Sequence, residues 1–144
     1  MNIADITFKY GAGNADLAQV TALLQDSYWV PRISRDDAEK MWANSAAVVS
    51  VYDGETQIGC CRAISDTVRF AYVMDVFIAE AYRGRGIGQS MVKFLLAAPE
   101  LATVYHWTLL TRDAHKFYEK IGFGLFSRPG DFYEIRTENP YAAQ

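Results

Sequence analysis

Tyr82-Arg83-Gly84-Arg85-Gly86-Ile87-Gly88 sets three glycines at alternate positions beside two arginines, just where Ile87, Met91, Phe94, Leu95 and Ala98 begin to recur at helical spacing. A helix start exposes unpaired N–H groups and the positive end of the macrodipole, and glycines let an oxyanion approach without meeting a Cβ. Arg83 and Arg85 add guanidinium groups that grip phosphate oxygens two at a time. The chemistry implied is that of a phosphate or pyrophosphate anchor. Two commoner phosphate loops do not fit: there is no Gly-Lys-Ser/Thr ending, and the spacing is G-x-G-x-G rather than G-x-G-x-x-G. A glycine-rich turn with solvated arginines is the plainer alternative.

Further along stands Ala114-x-x-x-Tyr118-x-x-x-Gly122-Phe123. Taken alone, Tyr118 reads better as an ordinary core tyrosine at helical spacing than as a site residue. Together the two stretches, in this order, resemble the GNAT superfamily of N-acetyltransferases: Arg83-x-x-Gly86-x-Gly88 matches its acetyl-CoA pyrophosphate loop, and the second segment matches the one whose tyrosine serves as general acid. The resemblance implies a GNAT fold and direct transfer of an acetyl group to a primary amine, with acetyl-CoA as cosubstrate and no metal. It also implies that the backbone of Val76, Phe77 and Ile78 lines pantetheine where two parallel strands splay, and that Gly84, Arg85, Gly86, Ile87, Gly88 and Gln89 hold the pyrophosphate. A non-catalytic acyl-CoA-binding module of the same fold is the alternative. The family often has proline where Glu80 stands and asparagine where Thr111 stands; Thr111 keeps a hydroxyl for a cofactor contact.

Acyl transfer from a thioester to an amine requires a neutral amine, donors for an oxyanion and a proton for the departing thiolate. Tyr118 suits the last role, since phenol and thiol titrate in neighbouring ranges. For the base, Asp75 is the leading carboxylate, although a strand acid paired with an arginine reads equally well; His106 reads as a core residue, His115 as solvated, and a water relay needs no dedicated base. The loop Ser27-Tyr28-Trp29-Val30-Pro31-Arg32 offers two aromatics and a cation. Tyr28, Trp29 and Arg32 form either a substrate wall, favouring an aromatic or carboxylate-bearing acceptor, or a hydrophobic hinge between helices.

The elements that must position these groups follow from patterning. Residues 3–10 alternate as a half-buried strand; Leu17, Val20, Leu24 and Tyr28 mark a helix with Asn14 as its cap; Ser34 caps a second helix whose inner face is Ala38, Met41 and Trp42. Residues 46–52 and 56–63 form a hairpin through Asp53-Gly54, and Ser65-Asp66-Thr67 turns into a strand over Phe70–Ile78. After the central helix, 102–110 reads as a buried strand parallel to that one, reached by a right-handed crossover. Ala114, Phe117, Tyr118 and Ile121 share a helix face that Gly122 ends, and 123–126 with 132–136 make a closing hairpin. The order predicts an α+β fold in α/β/α layers: a mixed central sheet of about six or seven strands, an antiparallel meander plus one parallel pair, and about four helices.

With 144 residues, 51% apolar and 14% aromatic, the chain reads as a single domain over 1–144. A net charge of −3 without a basic tract argues against a nucleic-acid partner and mildly favours a small amine. Cys60 and Cys61, the only cysteines, are strand neighbours facing opposite ways, so free buried thiols in a reducing compartment are expected. No leader pattern or membrane-length apolar run is seen, so cytoplasmic placement and no membrane partner are expected; the resemblance also allows a homodimer.

Overall fold

The computed structural model describes residues 5–144, so Ile3 of the expected first strand lies outside them. Five strands form one sheet in chain order: β1 (Ile6–Tyr10), β2 (Ala47–Asp53), β3 (Thr56–Ser65), β4 (Phe70–Ile78) and β5 (His106–Thr108). The first three pairings are antiparallel and β4 pairs β5 in parallel. Gly54, with φ +58°, makes the β2–β3 turn. The α-helices among the described residues are α1 (Leu17–Gln25), α2 (Arg35–Ala43), α3 (Ile87–Leu96) and α4 (His115–Glu119). None of the described helices is long and apolar enough to cross a membrane.

Strand alternation divides the interior in two. Val48, Cys60 and Phe77 face α1 and α2, packing with Val20, Leu24 and Trp42. Val49, Val51, Ile58 and Cys61 face the other way, onto Met91 and Leu95 of α3. The expected α/β/α layering therefore holds, and the adjacent cysteines, both free, sit one in each core.

Both thiols are fully buried, and burial drives each well above the ordinary thiol range. An unfolded chain would ionise them near pH 8.5, while the folded chain keeps them protonated, so folding retains more protons and stability falls as pH rises. The slope expected is about 1.4 kcal/mol per pH unit for each thiol above pH 9. Denaturant titrations at pH 8 and at pH 10 check this; Cys60→Ser with Cys61→Ala should flatten the dependence.

Several elements differ from expectation. The sheet has five strands, not six or seven, because 123–126 and 132–136 form no ladder: β5 spans only three residues and offers no long edge, and Leu125, Tyr133 and Ile135 stay exposed. Residues 102–110 yield only His106–Thr108 as strand, and His106 is exposed at that edge, between Phe70 and Phe126 rings, instead of lying in a core. The α1 cap is Asp16, which accepts from the Gln19 N–H, while Asn14 donates to the Tyr10 carbonyl. The helix stops at Gln25, leaving Tyr28 in the loop. Ser34 caps α2 as expected, and Gly122 ends the last helical turn at φ +118°.

Candidate active site

The β4–β5 pairing covers only Phe70 to Tyr72 opposite His106 to Thr108; beyond that the two strands part. Residues 73–78 therefore present an unpaired backbone edge to the gap. Ala79 donates its N–H to the Ile58 carbonyl on β3, so strand alternation turns both backbone groups of Ile78 to the open side. Arg83 closes the far end of this edge: its Nε donates to the Ile78 carbonyl at 2.8 Å, and its guanidinium lies 5.1 Å from the Phe77 ring centroid.

A bulge sits in the middle of the edge. Cys60 pairs Phe77 and Arg62 pairs Met74, so Asp75 and Val76 together oppose Cys61. Asp75 takes φ +53°, costly for a residue with a Cβ, and the local contacts hold it there. Arg62 Nε donates to Asp75 Oδ2 at 2.6 Å with both side chains nearly inaccessible, at 6% and 3% exposure, and Trp29 Nε1 donates to Oδ1 at 3.0 Å. Both carboxylate oxygens are thus engaged.

A cavity of about 490 Å³ lies against the glycine loop, lined by Val76, Ile78, Arg83, Gly84, Gly86, Gly88, Gln89 and Tyr118, among others. Gly84 and Gly86 have φ +77° and +80°, and a Cβ at either would meet nothing, so backbone conformation alone calls for glycine there. Gly88 differs: a Cβ would come within 3.2 Å of the Phe117 ring, so this glycine lets α4 pack on the first turn of α3. The loop is pinned by Tyr82, whose hydroxyl donates to Asp53 Oδ2. Two left-handed glycines, Gly84 and Gly86, on either side of Arg85 and before an uncapped helix start leave the helix-start N–H groups free at one concavity, a donor set that fits a diphosphate.

A second cavity of about 540 Å³ lies across the bulge. Its wall is a relay of contacts from the interior outward. Asp75 holds the Trp29 indole, Trp29 meets Tyr28 edge to face at 4.9 Å, and the Arg112 guanidinium lies 4.0 Å above the Tyr28 ring. The loop carrying the two aromatics is clasped from the far end of the chain: Asn139 Nδ2 donates to the Trp29 carbonyl, the Arg32 N–H to the Tyr141 carbonyl, and the Tyr141 hydroxyl to Asp37 Oδ2.

Val76, Ala114 and Tyr118 line both cavities, so the two meet at these residues. Tyr118 also borders a third space of about 440 Å³ between β5 and residues 123–127. Burial first, then the nearby Cys61, Tyr28 and Asp113, push the Tyr118 phenol up to about 12. It therefore carries its proton throughout the neutral range.

Of the residues singled out in the sequence, Val76, Ile78, Arg83, Gly84, Gly86, Gly88, Gln89 and Tyr118 come together around the first cavity, and Tyr28, Trp29 and Asp75 around the second. The Phe77 and Ile87 side chains point into the two cores; the Ile87 backbone stays available at the helix start, whereas strand alternation turns the Phe77 backbone toward Cys60 on β3. Arg85 is exposed and does not border the first cavity. Thr111 lines the second and third cavities instead of the first, its Oγ1 accepting from the Ala114 N–H. Arg32 lines none of the three; the cations of the second cavity are Arg112 and Arg136, and its second carboxylate is Asp113. Adjacency to the second motif was the only sequence signal for Arg112 and Asp113, and Arg136 had none.

The family model for the acetyltransferase (GNAT) domain matches residues 44–124, more than half of the chain. A histone acetyltransferase of Glycine max, TAP1, is 28% identical over 133 residues, covering 84% of this chain and 57% of that protein; the chain thus spans little more than half the length of that relative. Among solved structures, a GNAT-family protein from Xanthomonas campestris pv. campestris superposes with TM-score 0.87 at 26% identity, covering 96% of this chain and 97% of its own. A GNAT-family acetyltransferase from Streptococcus pneumoniae shares the fold at TM-score 0.72 and 24% identity, with 94% and 98% covered.

Proposed function

The chain belongs to the GNAT acetyltransferase family, whose chemistry is acyl transfer, and from that premise we propose that it moves an acetyl group from acetyl-CoA directly to a primary amine of a small-molecule acceptor. The supporting observation is the meeting of two cavities at Val76, Ala114 and Tyr118, one fronted by the glycine loop and the other by an aromatic wall. Acetyl-CoA, when bound, supplies the activated acyl group. In this reading the chain acts throughout as one domain over 1–144.

The residues divide the remaining work. The N–H groups of 84–89 hold the diphosphate, with Arg83 fixed beside them by the Ile78 carbonyl. The open edge at 76–78 offers backbone donors where an oxyanion develops. Tyr118 presents a protonated hydroxyl at the shared wall. Asp75, with both oxygens engaged, serves as the partner of Arg62 and the anchor of Trp29. Asp113, which makes no ion pair among the described residues, is the carboxylate left to receive a proton from the amine.

Thiol release from acetyl-CoA across an amine panel tests the reading. Turnover on at least one amine is expected; tight acetyl-CoA binding with turnover on none would leave only the binding-module alternative. Gly86→Val is expected to weaken acetyl-CoA binding about tenfold or more, because a β-branched residue at φ +80° collapses the donor concavity. Calorimetric titration returning native affinity for that variant would remove the loop from the cofactor site.

A further inference from the structure

The charges on the second cavity do not follow those of the chain. Overall the protein carries −3, but the charged groups on this wall are Arg112, Arg136, Asp113 and Asp75. Asp75 is neutralised by Arg62 behind it. Two arginines against one free carboxylate leave the wall with an excess of one positive charge. Neither arginine makes an ion pair among the described residues. Arg112 is steadied over the Tyr28 ring, and Arg136 sits close enough to Tyr72 to oppose the upward push that burial gives its phenol. The result is two cations lining the same cavity as the aromatic wall and the three residues where the cavities meet.

We propose that the acceptor is an anionic amine: a small molecule with an apolar or aromatic body whose carboxylate, or chemically similar anionic group, is gripped by Arg112 and Arg136 while its amino group reaches toward Tyr118. This rests on the acyl-transfer reading above and names its substrate class. The body of such a molecule lies along Tyr28 and Trp29, whose edge-to-face packing presents a rigid apolar face. Guanidinium groups bind carboxylates through paired, charge-assisted hydrogen bonds, so the anionic end supplies both affinity and orientation. A lysine within a basic peptide fits poorly, because its neighbouring cations would meet Arg112 and Arg136 with only Asp113 to offset the repulsion.

Matched acceptors decide the point. With saturating acetyl-CoA, para-aminomethylbenzoate is expected to exceed benzylamine in kcat/KM by about tenfold or more, with a lysine-containing basic peptide below both. In the Arg112→Gln/Arg136→Gln double variant the ratio of the two small amines should fall to near one. Benzoate alone, titrated by ligand-detected NMR, gives a readout independent of turnover: it is expected to bind the wild-type protein and to lose about tenfold in affinity in the double variant. Equal rates for the two small amines, a leading basic peptide, or unchanged benzoate binding in the double variant would overturn the assignment. If no amine turns over while benzoate binding still depends on the arginines, acyl transfer fails and the anion site stands. If amines turn over without carboxylate preference, the anion site fails alone.

Discussion

Tyr118→Phe is expected to lower kcat about a hundredfold while leaving the KM for acetyl-CoA within about twofold of wild type. The substitution removes one oxygen at the shared wall of the two cavities and keeps the ring, which packs edge to face with Phe117 and Phe123. Folding and diphosphate binding should therefore survive. The pH behaviour carries more information than the rate. With the phenol raised to about 12, full proton transfer to a thiolate of ordinary basicity runs uphill by roughly three to four units, about 5 kcal/mol. Tyr118 is thus better suited to donate a hydrogen bond to sulfur as charge develops than to surrender its proton outright. Its own ionisation should leave kcat flat to about pH 11, so any alkaline limb below pH 10 belongs to another group and must persist in the Phe variant. A limb that vanishes in Tyr118→Phe, or an unchanged kcat, contradicts this role.

Asp75→Ala is expected to be the most destabilising single change in the site. It would leave the Arg62 guanidinium, 5% exposed, without its counter-charge, a situation that costs about 3–5 kcal/mol. For a chain of this size the melting temperature should drop by roughly 10–15 °C. Asp75→Asn separates the structural role from a proton-transfer role, since it preserves the shape and can still accept from Trp29. If Asp75 positions the wall, the Asn variant raises acceptor KM several-fold, with the acid limb of the kcat profile intact. If Asp75 is the base, that limb disappears and kcat collapses at native KM. Arg62→Met with Asp75→Leu, which removes both charges, should recover much of the lost stability, although Trp29 would still lose its hydrogen bond.

What the sequence revealed depended on how local the cause was. The hairpin at Gly54, the Ser34 cap, the stop at Gly122 and the glycine loop each rest on a few consecutive residues, and each is present. Strand extent depends instead on a partner edge. The alternation in 132–136 marks a segment able to pair, yet β5 is too short to receive it. The acceptor wall was the least legible part. Trp29 reaches Asp75 across 46 positions, and Arg112 joins Tyr28 from the other motif. Arg32 lay beside the aromatics in sequence but turns away in space, its backbone tied to Tyr141. Asp75 carried two readings because a strand acid looks the same whether or not an arginine waits behind it; only the β3–β4 register brings Arg62 there.

The two adjacent free cysteines bear on how any of these measurements is made. Reagents that colour on reaction with free CoA also react with accessible protein thiols, and here neither protein thiol is accessible: Cys60 and Cys61 are sealed on opposite sides of the sheet. The folded protein is therefore silent in an assay that reads released CoA. A slow rise in signal without substrate reports molecules that have opened a core, so one cuvette follows both turnover and the opening of the sheet's two faces.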